Sequence, residues 1–449
     1  MAWEQVMTDS PSSLSGLAAD LYQLTMALAH FREGRTRERA TFELFVRRLP
    51  HHRGYLVVCG LETCLIFLQR VRFDAEALAY LRSLPVFATA PDDFWRYLAD
   101  FRFTADVWAV PEGTIAFAGE PLLRVAGPLI EAQLVETFLL TAINHQTAIA
   151  TKAARIVGAA AGRPVFEFGA RRAHGFEGAV ESARAAYIAG CFATSNLEAG
   201  RRFGIPVVGT SAHSFVLSHP TESAAFESFS RCYPHGCTLL VDTYDLADGI
   251  RNAARIEPPI AAVRIDSGDL AVESFRARRL LDELGRADTR IILSGDLNEW
   301  AIEELVRQAA PVDAFGVGTD LITSRDAPAL GGVYKLTELE SNGVKRFVFK
   351  RSEGKGTLPA AKQVYRFAGG DGCWSHDLVT SADEPVLGGE ALLKPVMRGG
   401  IPLAPPEALE ALRARAGSGL ARLPVDVRAI EPRADYPVRV SEALSRLLD

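Results

Sequence analysis

Apolar positions recur at helical spacing in DLYQLTMALAHF, which begins at Asp20, and alternate with polar ones in TFELFVRRL. The stretch from about Asp20 to Pro128 therefore predicts an α/β layer. From Glu131 to Ala161 the apolar spacing is helical again and ends before Pro164, whose ring cannot continue a helix. From Pro164 to about Leu321 one pattern repeats seven times: a short β-rich run, a turn of small polar residues, then a helical stretch. The strands read PVFEFG, CFATSN, PVVGTS, TLLVDT, AVRIDSG, IILSGD and AFGVGT. After GGVYKLTEL come strand-like pieces around Asn342-Gly343, FVFKRS and KQVYRFAGGDG, then Pro-rich turns and closing helices. This reads as a return to the first layer.

Strand–helix cycling fits a closed barrel or an open doubly wound sheet, and the spacing alone does not choose. The strand ends do. Polar residues stand at the C-terminal end of every strand: Arg171 and Arg172, Ser195 and Asn196, Thr210 to His213, Asp242 to Asp245, Asp266 to Asp269, Ser294 to Asp296, and Thr319 with Asp320. An open sheet needs such residues only at a switch point, whereas a barrel gathers them all at one mouth. The expectation is an α/β chain with an N-terminal α/β domain over 1–130, an irregular (β/α) barrel over 131–340, and segments over 341–449 that pack back on the first domain.

Composition limits the partners. With 449 residues, 48% of them apolar, the chain can build more than one core. A net charge of −6 without a long cationic run argues against nucleic acid. No apolar stretch has the length and purity of a membrane span, and MAWEQVMTDSPSSLSG lacks a basic leader, so the expected location is the cytoplasm, away from membranes. The six cysteines show no paired CxxC spacing. Cys232, His235 and Cys237 lack a second cluster to complete a zinc site, so no protein-held metal is expected.

The turns DSGDL and SGDLNE, with GVGTD, combine small residues and Asp between a strand and a helix. Free backbone N–H groups there can cradle phosphate, while the carboxylates suit ribose hydroxyls or a Mg²⁺ ion on a diphosphate. Helix capping is the plainer alternative for each turn. Arg264 and Asp266, two apart on one strand, share a face, so Arg264 either pairs with Asp266 or receives a substrate carboxylate. His213 lies in GTSAHSF among small residues, with Asp242 as a candidate partner at the next strand end. A carboxylate on one ring nitrogen would make the other a nucleophile for a phosphoryl group. A serine hydrolase is disfavoured, because no G-x-S-x-G elbow is present.

On these residues the chain resembles nicotinate phosphoribosyltransferases along nearly its whole length, through DLYQLTMA, FELFVRRLP, GYLVVCGLE, FEFGARRAHG, GTSAHSF, VDTYD, VRIDSGDL, GVGTDL, GGVYKLTEL and TLPAAKQVYR. The resemblance implies an irregular barrel of the type II phosphoribosyltransferase kind and a homodimer with active sites at the interface. It implies nicotinate, 5-phosphoribosyl 1-diphosphate and ATP as substrates, Mg²⁺ with the diphosphate, and nicotinate mononucleotide as product, in NAD salvage. Carried over residue by residue, His213 is the histidine phosphorylated by ATP and Asp242 its partner. Tyr22 stacks on the pyridine ring from the neighbouring subunit. Thr210 and Arg264 contact nicotinate. Phe168, Arg171, Ser294, Gly295, Asp296, Gly318 and Thr319 contact substrate or the phosphoribosyl group, and Asp266 serves ribose or the Mg²⁺ shell. Two departures stand out: Ala360 and Ala193 occupy positions where the family usually has Gly. The same chemistry on nicotinamide or quinolinate is the nearest alternative, and a phosphosugar-binding barrel without catalysis is the alternative outside enzymes.

Overall fold

The computed structural model describes residues 15–351 and 356–448, so most of the N-terminal stretch read above lies outside the described residues. The chain divides into two compact units, residues 1–148 with 329–449, and residues 149–328.

In the first unit, strand Arg39–Val46 runs antiparallel between Gly332–Ser341 and Pro121–Pro128, within a seven-stranded sheet. Seven of its eight residues lie inward or nearly so, so the alternation expected of TFELFVRRL gives way to burial on both faces. Its two buried polar members find partners: Thr41 donates to Glu338, and Glu43 sits 2.6 Å from the Lys362 ammonium. Because Gly332–Ser341 pairs here, the chain re-enters this sheet before residue 340, earlier than the sequence suggested. Helix Leu21–Arg32 buries Leu24, Ala27 and Leu28 and leaves Leu21, Tyr22 and Met26 exposed.

The second unit holds six parallel strands: β1 (Val165–Glu167), β2 (Ala193–Thr194), β3 (Thr238–Leu240), β4 (Ala262–Ile265), β5 (Arg290–Ser294) and β6 (Ala314–Val317). Their order is β2-β1-β6-β5-β4-β3, and they form the curled parallel sheet of an irregular barrel. Helices follow in turn: α1 (Phe176–Ile188), α2 (Leu197–Phe203), α3 (His213–Leu217), α4 (Glu222–Cys232), α5 (Leu246–Ala254), α6 (Leu270–Glu283), α7 (Glu299–Arg307) and α8 (Thr319–Thr323).

The run PVVGTS, expected as a full strand, is reduced to a single parallel bridge between Val207 and Thr194. Pro206 has no N–H to give a ladder, and Gly209 adds no packing side chain. Among the described residues no strand pairing joins this run to β3. The barrel therefore has a seam without backbone hydrogen bonds. No described helix is long and apolar enough to cross a membrane.

Candidate active site

Each turn at the strand ends contains two kinds of polar residue, and the structure separates them. Asn196, Asp245, Asp269 and Asn298 turn outward and cap α2, α5, α6 and α7 through their side-chain oxygens. The capping alternative thus holds for Asp269 in DSGDL and Asn298 in SGDLNE, while the GVGTD turn makes no side-chain cap. Asp242, Asp266, Ser294 and Thr210 cap nothing and point to one another instead.

Asp266 is their centre. Its Oδ1 lies 2.7 Å from Arg264 Nη2 and accepts from the Ser294 hydroxyl at 2.5 Å. Arg264 Nε donates to Ser294 Oγ at 2.7 Å, and Nη1 donates to Thr210 Oγ1 at 2.9 Å. The guanidinium thus spans three segments and keeps one N–H uncommitted on each terminal nitrogen. Both readings of Arg264 survive: it pairs with Asp266 and retains donors for an anion. Burial pushes the Asp266 carboxyl up, but the Ser294 hydroxyl and the Arg264 charge outweigh it and hold the group below its ordinary range. Asp266 therefore stays ionised at neutral pH.

His213 opens α3, with its side chain 41% exposed. Nδ1 lies 3.1 Å from Thr243 Oγ1, and Nε2 lies 3.9 Å from Asp266 Oδ2. The expected contact with Asp242 is not made. Asp242 Oδ2 is occupied at 2.7 Å by the Asp266 backbone N–H and at 2.7 Å by the Ser267 hydroxyl. A carboxylate that clamps the neighbouring turn cannot present the same oxygen to a ring. Its Oδ1 is buried with no hydrogen-bond partner. Thr243, the residue after it, takes the imidazole. Together the Thr243–His213 and Arg264–Thr210 bonds join the two lips of the seam that backbone pairing leaves open.

Two glycines allow these turns to approach. A Cβ on Gly295 would lie 2.2 Å from the Asp266 carbonyl, and its φ of +97° suits glycine. A Cβ on Gly316 would lie 2.7 Å from the Phe168 ring, which instead faces Arg264 at 5.5 Å. Asp296 is exposed in a left-handed turn with φ 45°. Gly318 and Thr319 begin α8 at the end of β6. Arg171 and Arg172 are exposed on the single turn Ala170–Arg172. Tyr22 belongs to the other unit, where it is exposed.

Sequence reasoning missed three residues that hold the site. Thr243 and Ser267 are short hydroxyls beside the carboxylates that drew attention. Glu167, fully buried at the end of β1, accepts from Thr194 Oγ1 at 2.6 Å and from the Gly169 backbone N–H, which fixes the turn bearing Phe168 and Arg171. Burial raises its carboxyl pKa. A charged residue within the apolar strand FEF was the available signal.

Comparison with known proteins agrees with the geometry. A nicotinate phosphoribosyltransferase of Mycobacterium tuberculosis is 44% identical over 441 residues, covering 96% of this chain and 92% of its own. The chain belongs to the nicotinate phosphoribosyltransferase family. The model of that family's N-terminal domain matches residues 17–144, and the model of the nicotinate phosphoribosyltransferase (NAPRTase) family matches 164–357. The human nicotinate phosphoribosyltransferase is 31% identical and covers 96% of both chains. The crystal structure of the human nicotinic acid phosphoribosyltransferase superposes with a TM-score of 0.83 at 29% identity, covering 96% of this chain and 98% of that one. The two family models together match parts of both units.

Proposed function

We propose that this chain forms nicotinate mononucleotide and diphosphate from nicotinate and 5-phosphoribosyl 1-diphosphate, in NAD salvage, with ATP hydrolysis coupled through His213. The observation that carries the reading is Arg264, held by Asp266, Ser294 and Thr210 with donors to spare, at a barrel mouth ringed by glycine turns.

Arg264 and the Thr210 hydroxyl receive the nicotinate carboxylate, and Phe168 offers an aromatic face to the pyridine ring. Tyr22 stacks from the neighbouring subunit of a homodimer. The Ser294–Asp296 and Gly318–Thr319 turns, with Arg171, take the phosphoribosyl group. The ring nitrogen then attacks C1, the bond to diphosphate breaks, and the electron pair leaves on diphosphate oxygen. Positioning and charge stabilisation carry most of the rate.

Among the described residues no group of three His, Cys, Asp or Glu could hold a metal alone, so Mg²⁺ would come with the diphosphate. The donors fit: Asp266, ionised and partly exposed, and the neighbouring Asp242, whose Oδ1 makes no hydrogen bond, would supply hard carboxylate oxygens. The ion would neutralise charge on the leaving diphosphate.

For the coupled step, the tautomer with the proton on Nδ1, 3.1 Å from the Thr243 hydroxyl, leaves the Nε2 lone pair to attack the γ-phosphorus of ATP as the bond to ADP breaks. Water later cleaves the phosphohistidine. The test combines protein, Mg²⁺, ATP, nicotinate and phosphoribosyl diphosphate, omits each in turn, and follows product by chromatography and ADP by a coupled assay. Product should require nicotinate and phosphoribosyl diphosphate, and ATP should increase its yield. His213→Ala should make product without releasing ADP. ADP release by that variant in step with product would sink the phosphohistidine.

A further inference from the structure

The helix Glu136–Ala159 carries a lysine that no substrate reaches. Lys152 is fully buried, and its ammonium lies 2.5 Å from Glu299, 2.8 Å from Asp326 and 3.7 Å from Asp320. Two further cations complete the cluster: Arg155 Nε at 2.9 Å from Glu299, and Arg325 at 3.6 Å from Asp320. The Trp300 ring covers Lys152 and Arg155 at 5.1 and 5.5 Å. Three cations thus face three carboxylates, with Arg325 at the exposed edge.

Its location gives it meaning. Glu299 is the first residue of α7, directly behind the Ser294–Asp296 turn, and Asp320 follows Thr319 in α8, directly behind the Gly318 turn. The two turns therefore have a common anchor beneath them. Burying such charges costs more than packing apolar residues of the same volume, so stability alone does not explain them; what they add is a defined position. The residue type fits this role. The chain has 49 Lys and Arg together, of which seven are Lys, yet this buried position is Lys. A compact ammonium can turn its three donors toward carboxylates from three directions, which a planar guanidinium fork cannot do.

We propose that Lys152 is a positioning residue for phosphoribosyl diphosphate, setting the spacing of the Ser294–Asp296 and Gly318–Thr319 turns through Glu299 and Asp320. The inference rests on the reading that those turns hold the phosphoribosyl group. Without the ammonium, the carboxylates repel one another and the turns relax apart. Burial already disfavours the charge on Asp320, and Lys152 opposes that effect.

The experiment measures binding of phosphoribosyl diphosphate with Mg²⁺ by calorimetry, KM for each substrate, and Tm, in the full chain. Small misplacements at a binding site cost on the order of tenfold to a hundredfold, so Lys152→Met should raise the Kd and KM for phosphoribosyl diphosphate by that factor. The KM for nicotinate should hardly change. The double variant Lys152→Met/Glu299→Gln removes one buried charge of each sign and guards against a single variant that does not fold. It should recover Tm while phosphoribosyl diphosphate still binds weakly. Recovery of both together, or a lower Tm with unchanged affinity, would show a purely structural cluster and overturn the proposal. Failure of the wild-type protein to bind phosphoribosyl diphosphate would overturn the functional reading, and the role of Lys152 with it.

Discussion

Two arginines, Arg366 in the first unit and the half-buried Arg264 in the second, are held in opposite ways. In the first, Arg366 gives Nε and Nη2 to Asp377, at 3.0 and 2.5 Å, and lies over the Trp374 ring at 4.2 Å. Tyr436 donates to the same carboxylate at 3.0 Å, and burial beside Asp377 pushes Glu120 well above the usual carboxylate range. Both members of the pair are buried, so no ligand reaches them. In the second unit, Arg264 makes single bonds to three partners, His213 is partly exposed, and an Asp242 oxygen has no partner. A charge closed off by its neighbours holds a fold, whereas one with unfilled valences at a strand end is available for chemistry.

The comparison can be broken most forcefully at Arg366. Arg366→Met strands a buried Asp377, so unfolding in denaturant should show a loss of about 3–5 kcal/mol. Turnover per folded molecule should stay near wild type. Arg264→Ala should do the reverse: kcat/KM for nicotinate falls about a hundredfold, while denaturant stability drops by no more than about 1 kcal/mol. Equal loss of stability from both would erase the distinction.

Asp266 gives a smaller, pH-dependent effect. Its folded pKa is depressed, so the stabilisation it provides is present above the unfolded carboxylate value and disappears as pH falls through the lower folded value. The Tm difference between wild type and Asp266→Asn should hold at neutral pH, where it corresponds to about 1 kcal/mol or less, and close below about pH 4. A gap that widens in acid would contradict the geometry.

The smallest effect concerns a loop that wraps a cation. Carbonyls of Leu358, Pro359 and Ala360 surround the Lys362 ammonium, and Ala360 reaches that conformation with φ at 65°. A methyl group is unfavourable there, and glycine's greater freedom in the unfolded chain offsets part of the gain, so Ala360→Gly should raise stability by about 0.5 kcal/mol in thermal unfolding.

That loop also shows what the sequence could convey. Ala360 and Ala193 both depart from a usual glycine, but Ala193 sits in β2 with an ordinary extended backbone, and only Ala360 is strained. Letters alone do not carry φ. The strand–helix cycle was legible because local period and turn residues encode it, and the set of polar strand ends was legible for the same reason. Which of two aspartates in DSGDL caps a helix and which enters the site depends on where the strand ends. The partner of His213 depended on spatial packing between turns: Asp242 was the chemically apt choice, but the adjacent Thr243 faces the ring. Lys152 was invisible as a site residue because its partners lie in two segments far along the chain, Glu299 in one and Asp320 with Asp326 in the other.

The unpaired seam makes the barrel a bracelet with a clasp. Ladder bonds hold the rest of the ring, while at this place side chains such as those of His213, Thr243, Arg264 and Thr210 fasten it. A molecule gripping both lips closes the clasp, so its binding energy is shared with strands it never touches. Amide protons along β2 and β3, at opposite ends of the sheet, should then exchange more slowly together when nicotinate occupies the mouth.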